Sequence, residues 1–471
     1  MQPSKTCLPD VILLPLDRAK TNRLFSECLA LFCRCALPAL SLFCSTALAA
    51  YGQVRVEMPP AVPDALVFQD GGSIASPKQW PRRRTEILHL LTGQMYGRMP
   101  ERPPRMRFEV VDADARALSG LASRYQVHIA LNGRSDGPHI DLLLYVPNRV
   151  RRPAVILGMN FWGNETVDPD PGIRISQRWV ESGPNPFLDL SCVHDHRASA
   201  ACRGIDARRW MLDQILHRGY ALATFYRGDL DPDRPDGFDD SIRSQYPQLQ
   251  QQGDNFATIA AWAWGLSRAM DYLVTDREID PHRVVVFGWS RLGKAALWAA
   301  ANDTRFAAAI SNESGAGGAK LFHHLSGESI ERLNTVFPWW FCNNFRRYNH
   351  QDAALPFDQN LALALLAPRP LYIASAIDDA NADPRGEFLA AQAVTSVYRF
   401  LGFPGTELPL WPAVDHPLLG RVSYHVRSGG HDVTSFDWEQ YLRFCDMFLA
   451  APPAHTQNHH PVAVSRSPAH G

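Results

Sequence analysis

A serine hydroxyl becomes a nucleophile only when a base takes its proton and nearby donors receive the charge its attack develops. Ser290 stands where both conditions can be met. Val284-Val285-Val286-Phe287 is a continuous apolar run of the kind found in a buried strand, and Gly288-Trp289-Ser290-Arg291-Leu292-Gly293-Lys294 leads from it into a helical pattern. Two glycines permit a sharp turn around the serine. The serine then precedes a helix N-terminus, whose unpaired N–H groups and positive dipole end favour an oxyanion. Arg291 and Lys294 fall in that first turn, where the dipole opposes cations by about 0.3–1 kcal/mol. A purely structural helix start would carry Asp or Glu. These cations are therefore read as substrate-facing, with Arg291 near the oxyanion and Lys294 near hydroxyls or a ring oxygen.

The base is expected at His431, in Gly429-Gly430-His431-Asp432, just before the final helix. His416 lies in an Asp-His-Pro loop, and His425 sits in an alternating, strand-like run. Three acids are placed to orient the imidazole: Glu313, after the strand that follows the serine's helix, and Asp378 or Asp379, after the next strand. Spacing leaves all three open.

These groups need a scaffold, and the chain supplies one. Strand-like runs occur at 107–111, 125–131, 139–146, 153–161, 221–226, 283–287, 306–311 and 370–377. Helical patterns occupy 80–96, 207–218, 255–274, 291–301, 386–400 and 436–449. Continuous apolar strands alternating with helices predict an α/β fold: a three-layer sandwich with a mostly parallel central sheet and helices on both faces, begun by antiparallel strands. Residues 50–450 are read as one catalytic domain with an N-terminal wrap at 50–105, and 451–471 as a disordered tail. Residues 1–49 have the basic start, apolar stretch and small-x-small end of a signal peptide, so export is expected, secreted or periplasmic. Four cysteines remain beyond that segment, and Cys192 with Cys202 is the expected disulfide rather than part of a metal cluster with His194 and His196.

With 471 residues, 46% hydrophobic, 20% charged and a net charge of -1, the chain has material for a large core. It has no basic field for nucleic acid. No second apolar run approaches a membrane span. Neither metal nor organic cofactor is required by the chemistry, and a monomer is expected.

Taken together, the motifs resemble those of the glucuronoyl esterases, carbohydrate esterase family 15 of the α/β-hydrolase superfamily, in their bacterial form. The resemblance spans roughly residues 80–450. It is carried by Gly-x-Ser-Arg-x-Gly-Lys at 288–294 and by Gly158-Met-Asn160-Phe161-Trp-Gly163-Asn164. Tyr226-Arg-Gly228-Asp229-Leu-Asp231-Pro232-Asp233, Asn312-Glu313-Ser314-Gly315, Ala382-Asp383-Pro384-Arg385-Gly386-Glu387-Phe388 and His431-Asp432-Val433-Thr434 extend it. It implies hydrolysis of the ester joining glucuronic acid on xylan to a lignin alcohol, through an acyl-enzyme and a Ser290–His431–Glu313 triad. Asp379 matches a second acid, Arg291 an oxyanion donor, and Lys294 and Glu328 contacts to the sugar. Departures are Trp289 before the serine, Glu165 where a histidine often stands, and Asn381 where a tryptophan often faces the sugar. The rival readings are an acetyl-xylan or other acyl esterase on the same triad, and a carbohydrate-binding protein with a vestigial site. Trp339 and Trp340 serve either as a ring platform or as core.

Overall fold

The computed structural model describes residues 55–403 and 408–450. The expected signal peptide and tail lie outside these residues. Among the described residues, nine strands form one sheet in the order β1-β2-β3-β5-β4-β6-β7-β8-β9. They are β1 (Arg107–Arg116), β2 (Ala122–Ala130), β3 (His139–Pro147), β4 (Val155–Asn160), β5 (Ala221–Tyr226), β6 (Val284–Trp289), β7 (Ala308–Asn312), β8 (Leu371–Ala376) and β9 (Val422–Arg427). The first three strands and the β3–β5 junction are antiparallel, and every pairing from β5 to β9 is parallel.

Alternation along each strand divides the core between two faces. Val284, Val286, Ala309, Leu371 and Ile373 face one layer, built on α1 (Trp80–Leu91), α2 (Thr258–Leu273), α3 (Arg291–Asn302) and α4 (Pro384–Phe400). Val285, Phe287, Ile310, Tyr372 and Ala374 face the other, with α5 (Ser435–Leu449) and a helical stretch at 207–217. That stretch, expected as one helix, is broken: Ala207–Trp210 and Leu212–His217 meet at Met211, which has φ 45°. The first strand is longer than expected, and a bulge between Val110 and Asp112 carries the pairing on to Asp114. Cys192 and Cys202 are joined as a disulfide, as expected. His425, wholly buried, bridges Tyr372 and Asp437 and belongs to the core.

The turn from β6 into α3 explains both glycines. A Cβ on Gly288 would lie 2.1 Å from the carbonyl oxygen of Leu292, and one on Gly293 would lie 2.9 Å from Cβ of Ser314. The second glycine therefore lets the helix pass over the end of β7, which accounts for the Gly-x-Ser-x-x-Gly spacing. Gly288→Ala should lower the unfolding free energy by an overpacking cost of about 1–3 kcal/mol. It should also depress turnover, because the displaced backbone carries Ser290; equilibrium unfolding and esterase rates on the same sample check both.

Candidate active site

Ser290 has φ 57° and ψ -131°, a conformation that a side-chain-bearing residue adopts only under constraint. Its N–H donates to the carbonyl of Asn312 at 2.9 Å, and its own carbonyl receives the N–H groups of Gly293 and Lys294. The serine is thereby pinned between β7 and α3. The Arg291 N–H occupies the first helical position, where no earlier turn offers an acceptor.

His431 and Ser290 line the same two cavities. The imidazole is packed by Trp289, with ring centroids 5.3 Å apart, and by Phe187 at 5.5 Å. Its Nδ1 lies 2.5 Å from Asp379 Oδ2 and 3.2 Å from Glu313 Oε2. With Nδ1 held by carboxylates, Nε2 is the nitrogen left to take the serine proton.

Both expected acids reach the imidazole, at different distances. Asp379 makes the shorter contact. Glu313, at φ 47° just past β7, is wholly buried and divided among more partners. It accepts from Arg427 Nη2 at 2.5 Å and from the Asp432 N–H at 2.8 Å. Burial pushes its carboxyl well above the usual range, with Asp437 and Asp379 adding to the effect and Arg427 opposing it. The reason for the ranking is the neighbourhood: Arg427 draws Glu313 toward the strand ends, while Asp379 is left facing the imidazole. Asp378 is solvent-exposed and lies on neither cavity wall.

Both first-turn cations have partners. Arg291 Nη1 donates to Asp233 Oδ2 at 2.7 Å, and its guanidinium lies 4.9 Å from the Trp340 ring. Asp233 also receives the indole N–H groups of Trp339 and Trp340 and pairs with Arg227 at 3.0 Å. Burial alone would raise its carboxyl, but Arg291 and Arg227 bring it below its ordinary value. Asp233 thus keeps its charge and aims Arg291. Lys294 is buried, and its Nζ donates to the carbonyls of Ser314 and Ala316 at 2.7 and 2.6 Å. Glu328 Oε2 lies 3.6 Å from it. Lys294 also lines the polar cavity, with two of its three donors spent on the loop after Glu313.

Ser290 separates two unlike cavities. One, of about 310 Å³, is lined by Lys294, Glu328, Arg332, Asn381 and the two acids. The other, of about 420 Å³, is walled by Phe161, Trp162, Trp179, Phe187, Trp289 and Trp339. Trp340 is buried against Phe337, with rings 3.7 Å apart, and serves as core and as wall of the polar cavity at once. Asn381 is exposed at the polar rim, and its carbonyl accepts from the Glu328 N–H. Glu165 is buried, accepts from the Ser176 N–H, and is pushed by burial up to about 7. Glu313, Asp379 and His431 bring one donor atom each within 4.8 Å of the others, as do His128, His139 and Asp141 elsewhere.

Two functional residues carried no clear signal in the sequence. Asp233 stands in a recognised motif without an assigned task, and Arg427, four residues before His431, reads as an ordinary strand-end charge.

A serine held in a strained elbow, an imidazole tied to carboxylates and a cation beside the elbow define an α/β-type serine esterase. The model for fungal glucuronyl esterases matches residues 211–402. A carbohydrate esterase from an unknown prokaryotic organism is 44% identical over 393 residues, covering 82% of this chain and 89% of its own. Among solved structures, a promiscuous family 15 esterase from a marine bacterial metagenome is 42% identical, with TM-score 0.77, covering 84% of this chain and 98% of its own. A glucuronoyl esterase from Solibacter usitatus is 40% identical, with TM-score 0.75, covering 83% and 98%. The chain belongs to the glucuronoyl esterases of carbohydrate esterase family 15.

Two outcomes follow. Asp379→Asn should lower kcat by on the order of 10²–10⁴, since the wrong imidazole tautomer is then favoured, and Glu313→Gln should lower it less; steady-state kinetics at fixed pH rank the two. Glu387, buried beneath the polar cavity, accepts from Ser375 Oγ and the Gly315 N–H and is raised by burial from 4.5 to about 8. The folded chain keeps a proton there that the unfolded chain has lost, so this contribution is complete below pH 4.5 and disappears as pH rises through about 8. Glu387→Gln, neutral throughout, should show a shallower fall in Tm across that window than the wild type.

Proposed function

We propose that the protein hydrolyses esters of glucuronic acid or its 4-O-methyl form, placing the uronate acyl group in the polar cavity and the alcohol in the aromatic one. The observation that carries this is the position of Ser290 between two cavities, one rimmed by Lys294, Glu328, Arg332 and Asn381 and the other walled by aromatic rings, both lined by Arg291 and His431. A glucuronate ester has that asymmetry: a polyhydroxylated acyl part and, where the alcohol comes from lignin, an aryl part. The name of the Solibacter usitatus relative supports the acyl half of the assignment.

The reaction runs through two acyl transfers. His431 takes the Ser290 proton as the oxygen attacks the C6 carbonyl. The Arg291 N–H and guanidinium receive the charge on the carbonyl oxygen. His431 then protonates the departing alcohol, which leaves through the aromatic cavity, and water repeats the sequence on the acyl-enzyme. Asp379, with Glu313 behind it, orients the ring and balances the imidazolium.

An acetyl ester would reach none of Glu328, Arg332 and Asn381 on the polar cavity wall, so the acetyl-esterase reading accounts for less of the site. A vestigial binding protein would have no need of the strain at Ser290. Export is supported by the Cys192–Cys202 disulfide, which an oxidising compartment permits. Among the described residues no helix is long and apolar enough to cross a membrane.

Benzyl and methyl glucuronate should both be turned over by the wild type, the benzyl ester with the lower KM, and acetylated xylan far more slowly. Ser290→Ala should abolish turnover. Arg291→Ala should lower kcat by about 10²–10³ through loss of an oxyanion donor. Faster turnover of acetylated xylan than of either glucuronate ester would refute the assignment.

A further inference from the structure

We propose that His128, His139 and Asp141 form a site for a divalent transition-metal ion, with Zn²⁺ as the representative. Strand register alone gathers them. His128 and Asp141 are directly paired between β2 and β3, and His139 precedes Asp141 by two residues, on the same face of the ribbon. One donor atom from each residue lies within 4.8 Å of the others. His128 Nδ1 is 3.0 Å from Asp141 Oδ1, and His139 Nε2 is 3.6 Å from Asp141 Oδ2. Ligands about 2.0–2.1 Å from a tetrahedral ion stand roughly 3.3 Å apart, so an ion enters with small side-chain adjustments. Two imidazoles with one carboxylate suit zinc and its neighbours rather than magnesium or calcium, and leave a fourth position for water.

The surroundings support the donors. The His139 Nδ1–H donates to the Gly137 carbonyl at 2.8 Å, which turns the Nε2 lone pair toward Asp141. One group opposes binding. Arg178 Nη2 lies 3.3 Å from each ring nitrogen of His139, although its Nε already reaches toward Asp229 Oδ1 at 3.9 Å. The Arg178 side chain is 33% exposed and has room to turn toward that carboxylate. None of the three donors lines either cavity beside Ser290. Yet the Asp141 N–H donates to Asp229, and its carbonyl accepts from Asn164, so a bound ion braces the loops after β5 and β4.

The test is calorimetric titration of ZnCl₂ into the metal-stripped full chain, compared with the His128→Asn/His139→Asn double variant, His431→Ala and Arg178→Ala. The wild type and His431→Ala should bind one ion that the double variant loses or binds at least about a hundredfold more weakly. Arg178→Ala should bind it more tightly. A Zn²⁺-dependent rise in Tm, missing from the double variant, reads the same event without reference to catalysis. Unchanged binding in the double variant overturns the proposal. So does loss of the ion in His431→Ala, which would assign it to the active site, and so does no binding by the wild type. Turnover of a small aryl ester by the double variant at the wild-type rate shows that it is folded. Should it not fold, Arg178→Ala alone decides: affinity equal to or weaker than the wild type refutes the site.

Discussion

One guanidinium holds the working end of the sheet together. Arg427, the last residue of β9, donates to Glu313 at the end of β7, to Asp437 in the first turn of α5, and to the carbonyls of Ser428, Gly430 and Asp432 around His431. Each partner is a group that could not be buried alone. The carboxylates would be uncompensated charges, and the carbonyls belong to a loop with no ladder of its own. Asn312 adds a second tie, donating from Nδ2 to the Asp432 carbonyl while accepting from Tyr441. The Asp432 carboxylate is in turn clamped by Arg208 and Arg209. The imidazole is thus located by backbone contacts on both sides of it, and the acids fix only its rotation.

The same logic governs the serine side. Asp233 gathers two arginines and two indoles around one carboxylate, so the wall of the aromatic cavity and the cation beside the nucleophile are set by a single charge. Lys294 does the equivalent beneath the polar cavity, spending its donors on the loop that follows Glu313. Each side of the reaction centre is organised by a buried ion of opposite sign.

Most of the scaffold was legible because parallel strands buried on both faces must be apolar throughout, as at 284–287, and because glycines flanking Ser290 announce a turn. His431 was legible from its place before the last helix. The ranking of the acids was not, because Glu313 and Asp379 both follow strands in adjacent positions and only the location of Arg427 separates them. The break at Met211 was equally hidden: the residue is a good helix former, and the left-handed turn there is imposed by tertiary packing. The protein partners of Lys294 were hidden for a related reason, since the carbonyls it donates to belong to a loop about twenty residues further on. Charge in the first helical turn correctly signalled a special site without saying whether protein or substrate would answer it.

The segment walling the aromatic cavity bears on how the protein should be made. Trp179 stacks on His196, and the Val180 N–H reaches the His196 carbonyl, so this wall leans on the loop that Cys192 and Cys202 close. The proton-relay residues rest instead on strand ends. Material produced in a reducing cytoplasm would keep an intact reaction centre beside a slackened enclosure. Its preferences among leaving groups would then describe the preparation, and its rate on a minimal ester would give no warning.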